Sequence, residues 1–185
     1  MSDLKVIVAI VTFNRLNLLK RCINSLNEQS FKIFDILVIN NGSTDETESY
    51  LKINNITYYS QENLGSASGW NTAVQFIKKK KIDYDYLWIM DDDGYPDKYA
   101  LEKLINFISV NKNYACVSSL VVDEINNNNL VFPLPILNKL NMPKIFSLKR
   151  KFYDYKDILN NYNSIIYPYA QLFNGALVHS KLIDK

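Results

Sequence analysis

Three consecutive aspartates, Asp91-Asp92-Asp93, follow directly on the apolar run Tyr86 to Met90. Adjacent carboxylates repel one another. At an effective dielectric near 20, two unit charges about 4 Å apart cost roughly 4 kcal/mol. In an extended segment Asp91 and Asp93 project to one side and Asp92 to the other. A Mn2+ or Mg2+ ion held by Asp91 and Asp93 would offset the repulsion, because hard cations take oxygen ligands. The plainer alternative is an exposed acidic loop, or a cap for the helix near Pro96. The triplet's place at the carboxyl end of a strand favours the metal.

Two further clusters are polar and small. In Asn40-Asn41-Gly42-Ser43 the amide side chains both donate and accept, so they can read a uracil or thymine edge. Gly42 permits a tight turn, and Ser43 with Glu46 reads as a capping box opening a helix through Leu51. A turn that merely starts a helix explains the same residues. Asn63-Leu64-Gly65-Ser66-Ala67-Ser68-Gly69 would let a ligand approach the backbone at a helix start, where the dipole favours an anion. It is not a Walker loop, since no Gly-Lys-Ser/Thr follows.

Other candidates are weaker. Lys78 to Lys81 suits the end of a helix. Lys149-Arg150-Lys151 could meet an acceptor phosphate or a membrane surface, though a solvated patch explains it more simply. His179 is the single histidine, and the two cysteines, Cys22 and Cys116, lie far apart. That inventory supports neither a serine-hydrolase triad nor a zinc cluster. Both cysteines read as buried small hydrophobes without a disulfide, in keeping with a reducing compartment.

The elements that would position these clusters alternate. Strands are expected at Lys5 to Val11, Ile33 to Ile39, Ile56 to Tyr59, Tyr86 to Met90 and Tyr114 to Val122. Helices are expected over Arg15 to Glu28, after Ser43, around Trp70 to Ile77, and around Leu101 to Ile108. This order implies an α/β fold with a mostly parallel sheet and helices on both faces. Ligands of such sheets sit beyond the strands' carboxyl ends, where the polar clusters lie. Pro133, Pro135 and Pro143 argue for an irregular excursion over residues 123–164. Strand character returns at Ile165 to Val178, with Asn174-Gly175 as a turn or bulge, and Ser180 reads as a helix cap.

The chain has 185 residues, 48% hydrophobic and 22% charged, with a formal net charge of +2. These values fit one soluble domain and imply no nucleic-acid partner. The opening apolar run is too short to span a bilayer and lacks the features of a signal peptide. A cytoplasmic location is expected, with peripheral contact at the inner membrane face left open.

Taken together, Thr12-Phe13-Asn14-Arg15, Asn40 to Asp45, Asn63-x-Gly65 with Asn71, and Asp91-x-Asp93 resemble the family-2 inverting glycosyltransferases of GT-A fold. The resemblance runs from about Lys5 to Val122 and resumes near Phe173. It implies a nucleotide-sugar-binding domain: a nucleotide-binding core over 1–122, the excursion over 123–164, and the start of an acceptor-side region over 165–185. Thr12, Asn14, Arg15, Asn41, Asn63, Gly65, Asn71 and Asp92 would bind the nucleotide, with Asn41 on the base. Many relatives carry Asp at that position. Asp91 and Asp93 would bind the diphosphate of a UDP- or dTDP-sugar through the metal, and Phe173, Asn174 and Gly175 would line the acceptor side. The stretch from Trp88 to Asp93 looks most like bacterial galactofuranosyl- and rhamnosyl-transferases. The acceptor would be a cell-surface glycan or a lipid-linked group.

The family's catalytic carboxylate usually follows the Phe-x-Gly strand and its helix. No catalytic base can be named here, which leads to the expectation of a truncated chain that binds a donor and transfers it poorly. Asp123, Glu124 and Asp154 are the carboxylates to test otherwise. The alternatives are a binding module without turnover, a nucleotidyltransferase and a receiver-type signalling domain. A nucleotidyltransferase should carry a Gly-rich basic loop after the first strand, where Thr12 to Arg15 stands. A receiver domain gathers its acids from several strands.

Overall fold

The computed structural model describes residues 4–140, 142–144, 146, 148–161 and 170–183. In chain order the elements are β1 (Val6–Thr12), α1 (Leu16–Asn27), β2 (Asp35–Asn40), α2 (Thr47–Ile53), β3 (Thr57–Ser60), α3 (Ser66–Lys80), β4 (Tyr86–Asp91), α4 (Ala100–Val110), β5 (Cys116–Ser118), β6 (Asn129–Pro135), β7 (Lys151–Asp154), α5 (Tyr155–Asn161), β8 (Asn174–His179) and α6 (Ser180–Ile183). They fall into two compact units, one of Met1–Ser118 with Leu172–Lys185, the other of Ser119–Gln171.

The first unit holds a six-stranded sheet in the order β3-β2-β1-β4-β8-β5. Strands β1 to β4 pair in parallel, and β8 enters antiparallel between β4 and β5. Period-two projection splits β1 between two cores. Val6, Val8 and Ile10 pack with Leu19, Cys22, Ile23 and Leu26 of α1, Leu51 of α2 and Leu101, Leu104, Ile105 and Ile108 of α4. Ile7 and Ala9 pack with Ala73 and Ile77 of α3. Burial on both faces explains why β1 is an unbroken apolar run. The close seat of α3 depends on Gly69, where an added Cβ would stand 2.5 Å from Val11 Cγ1.

Several expectations change. The fifth strand shortens to Cys116–Ser118, with Val122 reduced to a single bridge to Leu130. It pairs antiparallel with β8, and Cys116 is half-buried rather than buried. Ser43 does not cap a helix: α2 begins at Thr47, and Asp45 Oδ1 accepts the Thr47 amide at 3.1 Å. Ser180 is the first residue of α6 rather than its cap, and His179 Nδ1 accepts the Lys181 amide at 3.2 Å. Residues 165–169 of the expected last strand lie outside the described residues. Gly175, at φ +87, is the extra residue of a bulge, since Ile89 pairs with Ala176 and Met90 with Asn174. That is the bulge expected at Asn174-Gly175.

The second unit is more regular than its prolines suggested. Strands β6 and β7 form a two-stranded ribbon, with Leu130, Leu134, Phe152 and Ile158 as its core. Pro133 and Pro135 lie within β6, where the pairing skips between Asn129 and Leu134. Proline is tolerated there because a ribbon edge leaves amides unpaired. Among the described residues no helix is long and apolar enough to cross a membrane.

Candidate functional site

The parallel register sets Thr12 beside Asn40 and Val11 beside Asp91, so the carboxyl ends of β1, β2 and β4 finish together. The β4 strand ends at Asp91, and the Gly94 amide donates to Asp91 O at 3.1 Å, closing a turn. The extended geometry assumed for the triplet therefore stops after its first residue. Asp92 is buried at 4% exposure, and Thr12 Oγ1 donates to its Oδ2 at 2.7 Å. Arg15 Nη1 reaches Asp92 Oδ1 and Asp93 Oδ2, each at 3.3 Å. So Asp92 and Asp93 share one guanidinium, which simple alternation along a strand does not allow.

Asp91 lies half-buried beside them. Burial first, then the charges of Asp93 and Asp92, push its pKa up to about 6 against the pull of Arg15. Burial also raises Asp92, opposed by Thr12 and Arg15. Below the triplet, Cys22 is pushed up to about 12 by burial and then by the three carboxylates, and it serves packing. Three neighbouring acids thus have one guanidinium among them, in contact with Asp92 and Asp93 only, an arrangement suited to a divalent cation. No group of three His, Cys, Asp or Glu among the described residues would enclose an ion. Mg2+-type sites commonly use one or two carboxylates and complete their shell with substrate phosphates, so the residues fit that group.

Asn14 and Asn41 hold loops together. Asn14 adopts φ +52, a left-handed conformation that Asn tolerates. Its amide donates to Ser43 Oγ at 3.0 Å, and its Oδ1 accepts the Thr44 amide at 2.7 Å. Asn41 is buried at 3% exposure. Its Nδ2 donates to Asn63 Oδ1 at 3.1 Å and to Gly65 O at 3.2 Å, while its Oδ1 accepts from Gln61 Nε2 at 2.8 Å. The amide expected to read a base edge is thus engaged inside the protein. Gly42, at φ +84, sits so close that a Cβ would stand 2.8 Å from the Asn63 amide nitrogen.

Asn63 and Gly65 are exposed, and Gly65 opens α3 at φ +86 with open space about it. Asn71 is exposed on α3. On the β8 side, Phe173 stacks on Trp70 with centroids 5.3 Å apart, and Gly175 O accepts from Trp88 Nε1 at 3.1 Å. In the second unit, Asp123 Oδ1 accepts the Ile125 and Asn126 amides and Asp154 Oδ1 the Lys156 amide. Asp123 orders a local turn and Asp154 the start of α5.

Sequence reasoning included Asp45 in a motif but gave it no role; it holds the Leu16 amide at 3.3 Å as well as that of Thr47, and so serves the starts of both α1 and α2. Sequence reasoning missed Gln61, which links Asn41 to Thr72 through the 2.6 Å bond its Oε1 accepts. An Asp ahead of a helical run was a readable signal for the first; nothing local marks the second.

The chain matches the model of glycosyl transferase family 2 over residues 7–174. It is 30% identical over 115 residues to an uncharacterized glycosyltransferase of Rickettsia bellii, covering 60% of this chain and 16% of that relative. Among solved structures, the mannosyltransferase PcManGT from Pyrobaculum calidifontis, in complex with GDP-Man and Mn2+, superposes with a TM-score of 0.53 at 21% identity, covering 64% of this chain and 36% of that one. S. aureus TarS 1–349 in complex with UDP-GlcNAc gives 0.54 at 18% identity, covering 85% and 47%. The chain therefore spans 16% of the Rickettsia relative and 36% and 47% of the two solved chains.

Proposed function

The chain belongs to glycosyl transferase family 2, and from that premise we propose that it binds a nucleoside-diphosphate sugar across the carboxyl ends of β1, β2 and β4. The sugar passes, with inversion, to a glycan or a lipid-linked acceptor. The observation that carries this reading is the acidic turn: Asp91, Asp92 and Asp93 gather at one strand end, and Arg15 bridges Asp92 and Asp93. Asp91 and Asp93 would hold Mn2+ or Mg2+ together with the donor's phosphate oxygens. When bound, the ion neutralises charge that builds on the departing diphosphate. Thr12 and Arg15 keep Asp92 fixed, so the turn is set before a ligand arrives. Gly65 and the small residues after it leave the backbone open to the nucleotide. Phe173 and Trp70 offer an aromatic face to an acceptor. The two complexes named above support the reading, since one holds GDP-Man with Mn2+ and the other UDP-GlcNAc.

The finer expectation, a UDP- or dTDP-sugar, rested on Asn41, whose amide has other partners here. The donor panel therefore includes GDP, and starts from galactofuranosyl and rhamnosyl donors. The experiment is calorimetry with UDP, dTDP, GDP and their sugars, with and without Mn2+. Binding that requires the ion and is lost in Asp91→Asn supports the site. Equal binding with chelator, or no binding by any nucleotide, sinks it.

A further inference from the structure

Residues 136–151 carry five basic side chains, Lys139, Lys144, Lys149, Arg150 and Lys151, and no Asp or Glu. The whole chain has a net charge of only +2, so the remaining residues are net acidic. Apolar residues are interleaved with the basic ones. Phe146 and Leu148 are fully exposed, Leu140 is 79% exposed and Met142 58%. Apolar side chains of that size rarely stand this far into water in one short stretch unless they meet something.

The stretch has its own local order. Ile136 N donates to Arg150 O at 2.8 Å, and Lys144 N donates to Ile136 O at 2.8 Å. Leu137 bridges to Pro143 in antiparallel sense. At the tip, Asn138 Oδ1 accepts the Leu140 amide at 2.8 Å and the Met142 amide at 3.1 Å. The backbone of this turn is thus held by Asn138, and Leu140 and Met142 project from it between Lys139 and Lys144. Lys149 is tied to Asp157 at 2.7 Å, so Lys139, Lys144 and Lys151 carry most of the surface charge of this stretch.

We propose that the described residues between Leu137 and Lys151 form a docking patch for an anionic lipid bilayer. Basic side chains are drawn to the negative surface, and Leu140, Met142, Phe146 and Leu148 enter the headgroup boundary. A soluble polyanion would satisfy the lysines but give the apolar residues no phase to enter, which is why a bilayer is the occupant. The patch rests on this surface alone and on no property of the donor site.

The test is co-sedimentation of the full chain with vesicles. Phosphatidylcholine–phosphatidylglycerol vesicles should pull the protein down, and phosphatidylcholine vesicles should not. Salt near 1 M, where screening acts within about 3 Å, should weaken the attraction. Phe146→Ser with Leu148→Ser should lower partitioning at least about tenfold. Lys139→Glu with Lys144→Glu should lower it about fivefold or more per residue. All four residues are exposed, so Tm and nucleotide binding should be unchanged, which separates this proposal from the donor reading. Absence of binding to anionic vesicles overturns it. So does binding that the apolar pair leaves untouched while the lysine pair abolishes it, because that result describes a polyanion site.

Discussion

Thr12 Oγ1 donates to Asp92 Oδ2 at 2.7 Å between two buried side chains at the ends of neighbouring strands. This bond, with Arg15 on the other carboxylate oxygen, fixes the acidic turn. Thr12→Val keeps the shape and removes the donor, leaving a buried carboxylate short of a partner. Stability should fall by about 1–3 kcal/mol, and Thr12→Ser should recover most of it. Denaturant melts of the three proteins check this; an unchanged midpoint in Thr12→Val would show that Asp92 is solvated.

The Asp91 carboxyl is pushed up to about 6, from an ordinary value near 3.8, by burial and by its acidic neighbours. The folded state therefore holds its proton more tightly than the unfolded chain does. Stability linked to this group is present below the ordinary value and is lost as pH rises through about 6. The metal-free protein should be more stable near pH 4 than near pH 7 by this contribution, and Asp91→Asn should remove that part of the slope. Thermal melts across the window decide it. A wild-type slope identical to that of the variant would rule the buried acid out.

Asp91 and Asp93 should differ from Asp92 in what their loss does. Asp91→Asn and Asp93→Asn should weaken Mn2+-dependent nucleotide binding at least about tenfold while keeping the fold, because two carboxylates are the protein's share of the ion's shell. Asp92→Asn disturbs the bonds to Thr12 and Arg15, so it should lower Tm. Calorimetry beside melting separates the two; identical profiles for all three variants would contradict this assignment of roles.

Asn41 tests recognition against architecture. Its three contacts join the β2 end to the loop before α3. Asn41→Ala should cost about 1–3 kcal/mol for each group left unpaired, and should weaken UDP and GDP alike if either binds. A selective loss of pyrimidine nucleotides with stability intact would restore base reading to this residue.

Gly69 is set by space rather than by backbone conformation. Gly69→Ala places a methyl 2.5 Å from Val11 Cγ1. The overpacking should cost about 1–3 kcal/mol. Combining it with Val11→Ala should return part of that loss, a coupling that a double-mutant cycle reads directly.

Much of the architecture was legible in the chain because periodicity is local. Leu19, Cys22, Ile23 and Leu26 announced one face of α1, and Tyr86 to Met90 announced a buried strand. The polar clusters could be assigned to the carboxyl ends because strands that alternate with helices must run parallel. Tertiary structure decided the rest. The sequence placed Asp91 with Asp93 by extending a strand, but a turn closed by Gly94 ends that strand at Asp91 and brings Asp92 and Asp93 to one arginine. Asn41 looked like a reader of bases because an amide can be one. Gln61, Asn63 and Gly65 occupy it instead, from positions 20 to 24 residues away. The antiparallel entry of β8 between β4 and β5 could not be read either, since strand order depends on which edge remains free once the parallel core has formed. Local pattern determines which residues are buried and which elements form; the partners of a polar side chain depend on contacts that only the folded chain creates.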